Sequence, residues 1–200
     1  MCYNDSKRRE EIMKKYQIIY ADPPWPEAGG IMTTRCYKTK IPGEHLKCFK
    51  TMSIEEICNL PIKQIADTNC VLYLWVTARH LPFAFAVMDA WGFKYINIGF
   101  TWMKKNKNNP NPAFCTGAWT KQNVELCLFG TKGKCYHLLK SHAVNSAIYE
   151  PREEPAKKPA IIRTRIEQLF GNIPRIELFA RQKTKGWDTW GNEVQCDVEI

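Results

Sequence analysis

Two hundred residues suit one domain with a full-sized core, and a hydrophobic share of 44% with 12% aromatic residues excludes a disordered chain. The longest apolar stretch, around Leu81 to Trp91, is too short and too interrupted to span a membrane, and the charged N-terminus has no signal-peptide pattern. A net charge of +9 suits a polyanionic partner such as nucleic acid, and equally a generally basic protein.

In chain order, Asp5 to Lys15 reads as a charged helix or an N-terminal arm (residues 1–15) of a single domain covering 1–200. Tyr16 to Ala21, aromatic and β-branched, reads as a short buried strand, which Pro23 and Pro24 must stop at Asp22 because proline lacks the N–H a ladder needs. Glu27 to Lys50 has no periodicity and contains Gly29-Gly30 and Pro42-Gly43, so it reads as a long loop. Ser53-Ile54-Glu55-Glu56 is a capping box that opens a short helix through Cys58, closed by Leu60-Pro61. Cys70 to Val76 is a continuous apolar run, the pattern of a strand buried on both faces of a parallel sheet. Ala78 to Trp91 reads as a helix with Gly92 after its end, and Phe93 to Met103 as a strand. The Asn, Pro and Lys residues from Lys104 to Pro112 predict an exposed loop. Strands follow at Val124 to Gly130, Val144 to Tyr149 and Arg175 to Ala180, and Pro159 to Phe170 predicts a helix closed by Gly171. Strands alternating with helices imply an α/β fold, a mostly parallel sheet with helices on both faces. The nine cysteines are odd in number and form no Cys-x-x-Cys pair, so they read as reduced, mostly buried thiols in a cytosolic protein, with no zinc site.

Chemistry concentrates at Asp22-Pro23-Pro24-Trp25, because ligands bind at the carboxyl ends of strands in open α/β sheets. The exocyclic amine of adenine is a poor nucleophile, its lone pair being delocalised into the ring. A carboxylate and a peptide carbonyl that accept its two N–H bonds would hold that lone pair on nitrogen and aim it outward. Asp22 offers the carboxylate, Pro23 or Pro24 the carbonyl, and Trp25 a stacking face for a base taken out of its strand.

The chain resembles the Asp-Pro-Pro-Trp type of adenine N6 methyltransferase, in its bacterial and phage branch. The matching segments are Ala21 to Trp25, Thr51-Met52-Ser53, Leu74-Trp75-Val76-Thr77, Ala90 to Phe93, Gly117-Ala118-Trp119, Glu125 to Leu128, Lys158-Pro159, Ile176 to Arg181 and Gly191-Asn192. The resemblance implies a Rossmann-like S-adenosylmethionine-dependent methyltransferase fold with permuted motif order, which accounts for the lack of a Gly-x-Gly-x-x-Gly loop. It implies that Arg181 and Asn192 hold the ribose of S-adenosylmethionine, with Glu193 beside them, and that Phe179 lines the pocket. Lys158 would meet the methionine carboxylate, Glu177 would serve the cofactor or only pair with Lys158, and Asp22 would reach both cofactor and base. On the substrate side it implies Trp25, Phe49, Trp119 and Glu125 around the base; the run Lys104, Lys105 and Lys107 among asparagines reads by itself as a phosphate-facing segment or as a solvated lysine loop. No metal is needed. The resemblance implies DNA rather than RNA as the acceptor, a homodimer or a heterodimer with a related subunit, and a cytoplasmic place in a bacterial or phage-infected cell. Methylation of RNA, methylation of the cytosine amine, and a catalytically inactive nucleic-acid-binding subunit stay open as alternatives.

Overall fold

The computed structural model describes residues 14–27, 34–37, 47–109, 111–113, 119–153 and 157–200. Strand β1 (Tyr16–Ala21) lies inside a seven-stranded sheet, flanked in parallel by β4 (Ala66–Val76) and β8 (Arg175–Leu178). Beyond β8 runs β9 (Asp188–Trp190), also parallel. On the other side β6 (Val124–Lys132) runs antiparallel to both β4 and β5 (Lys94–Lys105), and β7 (Ala147–Pro151) pairs in parallel with the end of β5. Four of the six strand pairings are thus parallel, and β6 is the strand that reverses.

Side chains alternate across β1, and both sets are apolar because both faces are covered. Ile19 and Ala21 join Leu72 and Leu74 of β4 under three helices, α1 (Ile54–Asn59), α2 (Ile62–Ile65) and α3 (Leu81–Ala90). Ile18 and Tyr20 join Val71, Tyr73 and Trp75 on the opposite face, which α4 (Ile161–Phe170) covers with Ile162, Ile166 and Phe170. Each such fully buried aliphatic side chain stabilises the fold by about 1.5–3 kcal/mol. Among the described residues no helix is long and apolar enough to cross a membrane, and Cys58, Cys70, Cys127, Cys135 and Cys196 are free thiols.

Several boundaries differ from expectation, each for a physical reason. The stretch Glu27 to Lys50 contains a two-stranded antiparallel ribbon, β2 (Thr34–Tyr37) with β3 (Lys47–Lys50), whose four-residue strands are too short to show a period; residues 28–33 and 38–46, and the arm up to residue 13, lie outside the described residues. Strand β4 starts four residues early, since Asp67, Thr68 and Asn69 are polar and carry no apolar pattern. Strand β5 continues through Lys105, so Lys104 and Lys105 are strand residues paired with β7 and not part of an exposed loop. Ala78–His80 forms a 3₁₀ turn ahead of α3, while α2 and β9 are too short to show a period.

Candidate active site

The carboxyl ends of β1, β4 and β8 open onto one cleft of about 970 Å³, at the upper end of the range for small-molecule sites. Asp22 leaves β1 directly into it. The next residues turn tightly: the Trp25 N–H donates to the Pro23 carbonyl at 2.9 Å, and the Met52 N–H donates to the Pro24 carbonyl at 2.9 Å. The second bond ties the proline pair to the segment that begins α1. There the Ser53 hydroxyl accepts from the Glu56 N–H and the Glu56 carboxylate accepts from the Ser53 N–H, the capping box read from the sequence.

Trp25 does not present an open stacking face. It is only 7% exposed, its indole N–H donates to the Trp75 carbonyl at 3.0 Å, and its ring lies against His80 at 5.6 Å and 13°. It serves as a wall of the cleft, because a large apolar ring at a strand end buries itself against its neighbours unless something keeps it out. Behind it the Trp75 N–H donates to the Tyr20 hydroxyl at 2.8 Å.

Four alternating charges line the floor. The Lys158 ammonium donates to Asp22 Oδ2 at 2.6 Å and sits 3.3 Å from Glu125 Oε2, whose Oε1 accepts from Lys104 at 2.5 Å. Lys158 also lies over the Trp75 ring at 5.5 Å. Burial pushes the Asp22 carboxyl above the usual carboxylate range, and the Lys158 ammonium pulls it back. An ammonium in contact and 27% of its side chain open to solvent both favour the carboxylate form of Asp22. Burial also works against the Glu125 charge, but Lys158 and Lys104 together hold its carboxyl below the ordinary value. Lys158 is desolvated as well, and its two carboxylates more than restore its cation.

At the end of β8, Glu177 is buried and accepts two bonds from the Arg163 guanidinium of α4, at 2.7 and 2.6 Å. The expected Glu177–Lys158 pair is therefore absent: Arg163 holds Glu177, and Lys158 holds Asp22. Phe179 follows in the left-handed region, φ 59°, a conformation rare for a bulky residue and typical of functional turns, and its ring meets Trp190 edge-on at 5.4 Å. Arg181 donates to Glu193 at 3.0 Å. Between Trp190 and Asn192, Gly191 lets two backbones touch, since a Cβ there would lie 2.4 Å from the Ala180 carbonyl oxygen. The turn that carries Asn192 and Glu193 is tied back by Asp197, which accepts from the Thr189 N–H at 2.8 Å and from the Thr189 hydroxyl at 3.0 Å.

Asp22, Pro23, Pro24 and Trp25 thus share one cleft with Glu125, Lys158 and Trp119 and with the Phe179, Arg181, Asn192 and Glu193 group. Lys104 lines it too, but 8% exposed and neutralised by Glu125 it cannot grip a phosphate. Lys105 and Glu177 do not line the cleft, and the Phe49 side chain lies outside the described residues. Sequence reasoning missed Met52, Thr77, Arg79 and His80, which also line it. The rule that ligands sit at strand carboxyl ends, applied to β4 as it was to β1, points to Thr77 and its successors.

The family model MT-A70 matches residues 16–193. The chain belongs to the MT-A70 family of methyltransferases. The type II methyltransferase M.MunI of a Mycoplasma species is 32% identical over 191 residues, covering 90% of this chain and 78% of that protein. The METTL3 subunit of the N(6)-adenosine-methyltransferase of Danio rerio is 27% identical over 186 residues, 92% of this chain and 29% of that protein. Human METTL4, an N(6)-adenine-specific methyltransferase, is 24% identical over 191 residues, 90% of this chain and 38% of that protein. The chain therefore spans most of M.MunI but well under half of these two eukaryotic relatives. As an MT-A70 member it is a methyltransferase, and the match runs through both halves of the cleft.

Proposed function

We propose that this protein transfers the methyl group of S-adenosylmethionine to the exocyclic amine (N6) of adenine in DNA. The observation that carries the reading is the ionised Asp22 carboxylate, held by Lys158 at 2.6 Å at the mouth of β1, in the same cleft as the Phe179–Arg181 and Gly191–Glu193 turns. MT-A70 methyltransferases depend on S-adenosylmethionine in general, and the similarity to a type II methyltransferase favours DNA.

The donor set fits that cofactor. Arg181, Asn192 and Glu193 offer donors and acceptors for a ribose and a nucleobase, and Phe179 offers an apolar wall between them. When bound, S-adenosylmethionine supplies an electrophilic methyl group on a sulfonium. Lys158 is assigned to Asp22 and not to the methionine carboxylate, because it already answers two carboxylates and a third would leave the floor short of positive charge.

Asp22 accepts one N–H of the adenine amine, and a proline carbonyl accepts the other. Pro23 and Pro24 each accept one backbone N–H, and each carbonyl oxygen keeps a second lone pair. The two acceptors hold the amine lone pair out of the ring and aimed along the cleft, so positioning and charge placement carry the catalysis. The proton released by the methylated amine passes to the Asp22 carboxylate and from its open side to water. An inactive subunit is the competing reading; the intact Asp22 to Trp25 segment on its Lys158 support speaks for catalysis. Calorimetric titration with S-adenosylmethionine separates the two: micromolar or tighter binding that survives Asp22→Asn while transfer is lost supports the enzyme, and no binding at all supports the inactive subunit. A cytoplasmic place and pairing with a second subunit belong to the same reading, in keeping with METTL3 being named as a subunit.

A further inference from the structure

Reading the site as one that acts on a nucleic acid leaves a question of grip, because Lys104 is spent on Glu125 and Lys105 does not line the cleft. Five cations line the cleft, Lys50, Arg79, Lys104, Lys158 and Arg181. Three of them are neutralised by carboxylates of the same cleft: Lys104 by Glu125, Lys158 by Asp22, and Arg181 by Glu193. Arg79 and Lys50 are exposed, and neither has a salt bridge to a carboxylate among the described residues. Glu27, another acid of the lining, has a contact of its own.

Arg79 is also the better placed of the two. It sits in the middle of the 3₁₀ turn Ala78–His80, whose backbone is closed by the His80 N–H donating to the Thr77 carbonyl at 2.9 Å. The Thr77 hydroxyl meets His80 Nδ1 at 2.8 Å, and the His80 ring is stacked on Trp25. The backbone that bears Arg79 is therefore anchored through two side chains to the segment holding the reacting amine. A guanidinium on a fixed turn matches the paired oxygens of a phosphodiester. Trp119, 98% exposed, lines the same cleft with Thr120 and Gln122.

We infer that Arg79, with Lys50 beside the same cleft, forms a phosphate subsite that takes the phosphodiester flanking the target adenine. The inference rests on the nucleic-acid reading above. It assigns the grip to residues outside the Asp22 and Arg181 groups, and it takes over the role first expected of Lys104.

The test is steady-state methylation of one adenine-containing oligonucleotide across a salt series by the wild type, Arg79→Gln, Lys50→Gln and, as a remote control, Lys134→Gln. Lys134 is exposed beyond β6, at the opposite end of the sheet from the cleft. Loss of one phosphate contact reduces the slope of log affinity against log salt by about 0.9 on duplex DNA or about 0.7 on a single strand. The expected result is that reduction in Arg79→Gln, with KM for the oligonucleotide raised several-fold and affinity for S-adenosylmethionine kept, which shows the fold intact. Lys134→Gln should match the wild type. A wild-type slope and KM in both Arg79→Gln and Lys50→Gln would overturn the subsite. A wild type that methylates no nucleic acid speaks against the proposed function itself, so the two failures are told apart.

Discussion

At the residue scale, methyl transfer by the proposed route depends on Asp22 being ionised and aimed. Replacing it with Asn keeps the shape but exchanges a charged acceptor for a neutral amide, and Asp22→Asn should lose about 100- to 1,000-fold in kcat, about 3–4 kcal/mol, as when one preorganised partner of a developing charge is removed. Single-turnover methyl transfer with saturating cofactor measures this. The pH profile follows from the same geometry. Burial raises the Asp22 carboxyl above 3.8, so activity should fall as pH drops through that raised value. The Lys158 ammonium lowers it, so Lys158→Gln should move the acid limb to higher pH while also lowering the maximum rate. An acid limb in Lys158→Gln at or below the wild-type position would contradict the pairing.

At the element scale the site is made by three strand ends and the turns that follow them. Gly191 is the point where the β9 turn touches the Phe179–Ala180 backbone, and the Ala180 N–H donates to the Trp190 carbonyl at 2.9 Å. A methyl group there has only backbone to push against, so Gly191→Ala should weaken cofactor binding by at least tenfold and lower the melting temperature, both readable in one thermal titration with S-adenosylmethionine. Ser53→Ala, which removes the cap of α1, should cost about 1 kcal/mol in a denaturant titration and leave the cofactor affinity unchanged. Much of this was legible in the sequence. The apolar run of β1, the proline stop, the capping box and the glycine after α4 each follow from local chemistry. What was not legible depends on pairing at a distance: that Lys104, near the end of β5, pairs with Glu125, that Arg163 and not Lys158 answers Glu177, and that Trp25 spends its ring on His80. Each of these residues has an unremarkable local sequence, and its role is set by a partner 14 to 55 positions away.

At the scale of the whole molecule, a positive net charge of +9 and a cleft whose inner ion pairs cancel leave the attraction for a polyanion to the rim and outer surface. Binding should therefore weaken steeply with salt while the chemical step, once substrate is bound, stays nearly constant. A salt-independent KM would argue that the basic surface serves some other purpose. The central claim is the transfer of a methyl group to the adenine amine, and one measurement reaches it directly. The enzyme is incubated with S-adenosylmethionine labelled in its methyl group and with matched single-stranded DNA, duplex DNA and RNA, and the products are digested to nucleosides. Label in N6-methyldeoxyadenosine from DNA, absent when Asp22→Ala is used, is the predicted result. Label in a cytosine nucleoside, or undiminished transfer by Asp22→Ala, would contradict it.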